Sequence, residues 1–343
     1  MELKKLITKY TMLQGISGAE RIVSESVAED LKNLGISCEI DEAGNVTGRI
    51  LSPENKAKTI LLEAHIDQIG LMVSGVDEDG YVKFVNIGGV DERILCGLEV
   101  EIVTDKGNIY GVIGSITKND KEDKPRNPKV EEVRGDIGFS KVNASTSVKA
   151  GDNIIIKNRV VELLNDRLSS AALDNRSGVA AIIDVLSRID KNKLPYNIEF
   201  LFSTQEELGL HGAFTGIRNN KIDMAIAVDV THGTTPDSVD ETVVFPLGSG
   251  AVICRGPNLH FDYTKKLIDL AKEKNISYAI EVAPGGSGTT AWALQIVDKG
   301  IPVTLISIPL RYMHTNVELI DLNDVKAVSD LLYEVVVGGI EID

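Results

Sequence analysis

The chain is poor in cysteine, in aromatic residues and in positive charge, and it has no long apolar run. Its three cysteines, Cys38, Cys96 and Cys254, are odd in number and far apart. That pattern excludes a disulfide framework and a cysteine-based metal cluster, and it suggests reduced thiols. Aromatic residues are 5% of the chain, which leaves few rings to stack on sugars. Lys and Arg number 36 against 51 Asp and Glu, a formal net charge of −15. Such a balance argues against nucleic acid and anionic membrane surfaces as partners. No apolar stretch approaches the roughly 20 residues of a membrane span. Met1-Glu2-Leu3-Lys4-Lys5 leads into an amphipathic pattern, not an apolar signal core. The expectation is a soluble, cytoplasmic protein.

What is present is an ordinary α/β texture over 343 residues, enough for two domains. Residues from Glu2 to Met12 and from Ala19 to Leu34 have helical spacing, separated by the break Gly15-Ile16-Ser17-Gly18. Ser37–Ile40 and Asn45–Ile50 read as a strand pair about a turn. Thr59 to Asp67 is a buried-type strand that ends in His65-Ile66-Asp67. From Gly70 to Lys157 the texture changes to short alternating runs with hairpin signals at Asp77-Glu78-Asp79-Gly80 and Thr104-Asp105-Lys106-Gly107. This stretch is expected to be a small all-β barrel inserted into the α/β domain, closed by Ile154-Ile155-Ile156. Within it, Lys118 to Arg134 is charged, contains Pro125 and Pro128, and reads as a loop. The domain division expected is 1–69 with 164–343, and 70–163 as the insert.

After Leu164 the α/β rhythm returns. Ala171 to Gly178 opens a helix that runs to Ile189, and Ile198 to Ser203 is an apolar strand followed by Glu206-Glu207. Met224 to Asp229 is another apolar strand ending in an acid, and Val303 to Pro309 a further one, with His314 soon after. Helices are expected over Asp262–Asn275 and Leu322–Val337. The glycine-rich run Pro284 to Thr290 lacks the lysine and spacing of a phosphate-binding loop and reads as a pocket wall.

Four strands thus end in His65 and Asp67, in Glu206 and Glu207, in Asp229, and near His314, with Asp174 at a helix start. In a parallel sheet these ends share one edge, where such folds place their sites. Taken singly, each residue has a mundane reading: Asp174 an N-cap, His65 a packed core histidine, Asp229 a turn residue. Together, two histidines and several carboxylates form a ligand set for a pair of divalent ions, with zinc, cobalt and manganese suited to such donors.

The motifs His65-Ile66-Asp67-Gln68-Ile69-Gly70, Ala172-Leu173-Asp174-Asn175-Arg176, Gln205-Glu206-Glu207-Leu208-Gly209, Val228-Asp229-Val230-Thr231-His232 and Pro309-Leu310-Arg311-Tyr312-Met313-His314-Thr315 occur in that order. In this the chain resembles the TET-type glutamyl aminopeptidase family of dinuclear metallo-aminopeptidases, over nearly its whole length. The resemblance implies a phosphorylase/hydrolase-like three-layer α/β/α catalytic domain with an inserted, PDZ-like or barrel-like dimerisation domain. It implies peptide substrates, two divalent ions per subunit (zinc or cobalt), and a homo-oligomer built from dimers, up to a tetrahedral dodecamer. Position by position, Asp174 would bridge the ions, His65 and Asp229 would complete one site, and Glu207 and His314 the other. Glu206 would be the general base, and Asp67 would set the tautomer of His65. The match also implies a cis peptide between Asp174 and Asn175.

The chain departs from the family's usual pattern at Gln68, at His211 and at Thr290, where an acid, an arginine and an acid are common. None of these removes an implied ligand or the base; they bear on substrate preference. His232 could line the pocket and His260 begins a helix. Paired carboxylates also serve glycosidases, but that reading leaves His65, Asp174, Asp229 and His314 without work. A metal-dependent deacylase of related fold is the other alternative.

Overall fold

The apolar runs that end in acids and histidines become four adjacent parallel strands. Their order is Asn197–Ser203, Thr59–His65, Met224–His232 and Val303–Arg311. The computed structural model describes residues 2–114, 128–217, 221–238 and 243–342. Among these, an 11-stranded sheet grows outward from the four by antiparallel pairing, save for the parallel edge strand Tyr278–Val282. Val46–Ile50 and Cys38–Ile40 extend one side; Glu318–Asp321, Arg167–Ser170 and Val161–Leu163 extend the other. Ala251–Arg255 also pairs with Val303–Arg311 and carries the edge strand Tyr278–Val282.

Alternate residues of the central strands pack into two different apolar clusters. Ile60, Leu62, Phe200, Ile226 and Ile306 face one; Leu61, Leu201, Ala227 and Leu305 face the other. Both faces are therefore buried, which is why these strands read as unbroken apolar runs rather than alternating ones. Full burial of each such side chain contributes roughly 1.5–3 kcal/mol. The helix Leu173–Arg188 packs on the first face, against Thr59–His65 and Met224–His232, with every residue from Leu173 to Leu186 buried. The helix Leu322–Glu334 packs against it in turn.

The second body is a closed barrel of six strands: Gly70–Val76, Val82–Ile87, Gly135–Asp136, Gly107–Ile113, Glu99–Thr104 and Asn153–Ile156. It has its own apolar core, including Leu71, Phe84, Val100, Ile102 and Ile154. Two expectations need correction here. The insert is not all-β: Lys141–Ser147 forms a short helix. The run Lys-Val-Asn-Ala-Ser-Thr-Ser has no apolar period, so only packing reveals it, through Ala144 and the following Val148 in the barrel core. Also, Val161–Leu163, placed in the insert by the 163 boundary, pair with Arg167–Ser170 inside the large sheet. The loop expected over Lys118–Arg134 lies outside the described residues as far as 127, and Val130–Glu132 form a single 3₁₀ turn.

Candidate metal centre

Parallel register brings the strand ends together. Ser203 lies opposite His65, and Asp229 opposite Ser307. Glu206 and Glu207 follow in the turn after Ser203, and His314 follows shortly after Arg311. Asp174 is the second residue of the helix Leu173–Arg188, where the backbone is not yet helical. The turns that carry these side chains are tightly wound. Ala172, Gln205, Leu210 and His314 all hold left-handed φ values, between 54° and 64°, without being glycine. Such conformations are uncommon for residues with a Cβ and concentrate at functional sites. The Asp174–Asn175 peptide bond is cis.

Two groups of potential ligands result, His65–Asp174–Asp229 and Asp174–Glu207–His314, each with its ligand atoms within 4.8 Å of one another. Asp174 belongs to both. Its Oδ1 lies 3.1 Å from His65 Nε2, and its Oδ2 lies 3.5 Å from His314 Nε2. His65 Nε2 is also 3.7 Å from Asp229 Oδ1, and His314 Nε2 is 3.4 Å from Glu207 Oε2. Glu206 lines the same cavity but joins neither group.

The supporting contacts include the Asp67–His65 approach implied by the resemblance and several that were not legible in the sequence. Asp67 Oδ1 lies 3.4 Å from His65 Nδ1, a nitrogen that has no hydrogen-bond partner. The carboxylate of Asp67 accepts the backbone N–H groups of Glu206 and Glu207 at 3.0 and 3.2 Å, and the Ser17 hydroxyl at 2.5 Å. It therefore holds the glutamate turn as well as facing the imidazole. Glu318 does the same for the other ligands, accepting the backbone N–H groups of His314 and Asp174 at 3.0 and 3.1 Å. His314 Nδ1 sits 2.9 Å from the carbonyl oxygen of Gly89, at the end of a barrel strand. That contact puts the ring proton on Nδ1 and leaves Nε2 free to face the acids. A Cβ on Gly89 would lie 2.9 Å from His314 Nδ1, so glycine is what lets the barrel come this close. The Gly88-Gly89 pair after a strand was the available sequence signal.

The centre carries more negative charge than its own residues balance. Burial pushes the carboxyls of Glu206, Glu207 and Asp229 upward, and neighbouring acids push further against the pull of the histidines. Burial opposes the charge on His65, yet Asp174, Asp229 and Asp67 outweigh it and hold the imidazole well above its ordinary range. Asp174, despite burial, is held low by His314 and His65. Four acids around two imidazoles, with oxygen and nitrogen donors converging in two triplets, fit a pair of divalent cations.

The remaining residues singled out in the sequence fall as follows. His232 lines the cavity, as does the glycine-rich run through Gly286, Ser287, Gly288 and Thr289. His260 caps the helix Phe261–Glu273, its Nδ1 accepting the Tyr263 N–H at 3.3 Å. Thr290 donates to the buried Glu63, which also accepts from Ser203 at 2.6 Å. Gln68 accepts from the buried Arg176 at 3.4 Å, and His211 pairs with Gln205 at 3.1 Å.

Known proteins resemble this chain in sequence and in fold. Residues 44–331 match the M42 glutamyl aminopeptidase family. A lysyl aminopeptidase of Pyrococcus furiosus is 31% identical over 94% of this chain and 93% of its own. Aminopeptidase APDkam598 of the archaeon Desulfurococcus kamchatkensis superposes with a TM-score of 0.88 at 31% identity, covering 97% of this chain and 94% of that one. The Pyrococcus horikoshii TET1 peptidase, which can assemble into a tetrahedron or a large octahedral shell, has a TM-score of 0.83 at 29% identity over 98% and 99% of the two chains. With a family match over most of its length and relatives of like sequence and fold, the chain belongs to the M42 glutamyl aminopeptidase family.

Proposed function

We propose that this cavity removes N-terminal residues from peptides with the help of two divalent ions, zinc or cobalt. His65 and Asp229 would hold one ion, Glu207 and His314 the other, and Asp174 both. The observation that carries this reading is Asp174, whose two oxygens face two different imidazoles and which belongs to both donor triplets. When bound, such ions supply Lewis acidity, acidifying water and polarising the scissile carbonyl. The chain's own residues do the rest. Glu206, in the cavity but outside both triplets, takes the proton of the attacking water and returns it to the leaving amine. Asp67 holds the turn that carries Glu206 and faces the far nitrogen of His65.

Chelation tests the reading. Dialysis against EDTA should abolish turnover of aminoacyl nitroanilides, and zinc or cobalt should restore it as two ions per chain are taken up. Undiminished turnover in EDTA would refute it. Turnover of N-acylated but not free aminoacyl substrates would point instead to a deacylase.

The catalytic part is proposed to be a three-layer α/β/α unit of residues 1–69 and 161–343, in a soluble, cytoplasmic enzyme. Among the described residues no helix is long and apolar enough to cross a membrane. The inserted barrel, within residues 70–160, would mediate dimerisation, with dimers assembling into a tetrahedral dodecamer. Support comes from the barrel's exposed apolar side chains, Tyr81, Val85, Tyr110, Val112 and Phe139. Light scattering should give a dimer or a multiple of one. A monomer at micromolar concentration would contradict it.

A further inference from the structure

The same cavity contains a further acid, set apart from the ligand groups. Glu281 lies on the edge strand Tyr278–Val282 and lines the cavity of about 620 Å³, as do Thr231, Ser307 and Trp292. It belongs to neither ligand triplet. Its Oε1 accepts the Thr231 hydroxyl at 2.9 Å, and the Cys254 thiol donates to it as well. No lysine or arginine lines the cavity among the described residues. Burial raises the carboxyl above its ordinary range, and Asp229, the charge that reaches it among the described residues, has the same sign. A half-buried acid without a cation is costly unless its partner comes from outside.

The spacing says what that partner is. Thr231 is two residues beyond Asp229 on one strand and on the same face, a step of about 7 Å. Glu281 bonds to Thr231, so its carboxylate stands about that far past the ion-binding acid. This is within reach of an ammonium on a four-carbon stem. Leu305 and Trp292 offer apolar wall for the methylenes in between. Ser307 is an independent sign that a ligand belongs here. It lines the cavity opposite Asp229 in the ladder, is 1% exposed, and its Oγ has no hydrogen-bond partner. Two divalent ions would offset the four acids of the centre but not Glu281, which is left as the cavity's unbalanced charge.

We propose that Glu281 selects peptides whose N-terminal residue has a basic side chain, lysine foremost, by pairing with its ammonium at the wall away from the metal ligands. The inference rests on the aminopeptidase reading, and its sign is opposite to the family's glutamyl name.

The test compares lysyl, norleucyl and glutamyl nitroanilides in the metal-loaded enzyme, together with calorimetric binding of L-lysinol and L-leucinol. Norleucine has lysine's stem without its charge. The wild type should favour lysyl over norleucyl in kcat/KM. Glu281→Gln should lower the lysyl value by roughly 10–100-fold, mainly through KM, and lower norleucyl far less. It should weaken lysinol binding by a similar factor and leucinol little. Glu281→Lys should move preference toward glutamyl. Should either variant fail to fold, Thr231→Val, which removes only the hydroxyl holding Glu281, should show the same substrate-selective loss at smaller size. A wild type that treats lysyl and norleucyl alike, or a Gln variant that loses both equally, overturns the proposal. Failure to turn over any aminoacyl substrate would count against the aminopeptidase reading instead, and the lysinol-to-leucinol binding ratio would still decide the role of Glu281.

Discussion

Replacing Asp174 with asparagine is expected to empty both ion sites at once. Its carboxylate is the one group common to the two donor triplets, with one oxygen toward His65 and the other toward His314. Asparagine has the same shape and keeps the backbone N–H that bonds to Glu318. It loses the negative charge, and half of its amide is a donor that a cation repels. Altering a group that merely orients a ligand costs about 10–100-fold in metal affinity, so loss of a shared ligand should cost at least 100-fold at each site. Metal analysis after desalting should find less than one ion per chain, with far-ultraviolet circular dichroism unchanged and turnover at the level of the chelated wild type. His65→Ala and His314→Ala serve as the contrast: each touches one triplet and should weaken mainly one ion. Two tightly held ions in Asp174→Asn would end the case for a shared ligand.

That arrangement was legible in the sequence for a physical reason. Strands buried on both faces must be apolar throughout, so an acid or histidine at the end of such a run stands out. His65, Glu206, Glu207 and Asp229 all follow or end runs of this kind, and parallel pairing then places them at one edge. Asp174 was legible only through its motif, because an aspartate at a helix start is otherwise an ordinary cap.

The groups that were missed are those whose role depends on tertiary approach. Glu318 opens the short strand Glu318–Asp321 and went unremarked in the sequence, yet its two oxygens hold the backbone of Asp174 and His314. Ser17 is 50 positions from the Asp67 it bonds, and Gly89 reaches His314 across 225. No local pattern encodes such pairings. The short strands Ala251–Arg255 and Tyr278–Val282 were passed over for a similar reason. Ala251–Arg255 lies between Val303–Arg311 and Tyr278–Val282, and Tyr278–Val282 has that strand as its neighbour; both are five residues long, too short to stand out as apolar runs. Glu281, on the outer of the two, was lost with its strand.

Glu206→Gln should leave a protein that binds its ions and its substrate and hardly turns over. The attacking water has to lose a proton and the leaving amine has to gain one, and a single positioned carboxylate can serve both steps. Glu206 and Glu207 leave the same strand, but their side chains part: Glu207 lies 3.4 Å from His314 within a ligand triplet, and Glu206 lies in the cavity outside both. Asp67 grips the backbone N–H of each, which fixes that divergence. Glutamine matches glutamate in size and polarity, so the turn, the cavity and the ion ligands should stay as they are. It cannot accept the water's proton. General acid–base assistance is worth roughly 10²–10⁴ in rate, so kcat should fall by that order with KM little changed. Two measurements decide the outcome together: steady-state kinetics and metal content on the same preparation. Near-normal kcat with both ions bound would remove Glu206 as the base. Loss of an ion would mean that Glu206 is a ligand, and that the two glutamates have exchanged their parts.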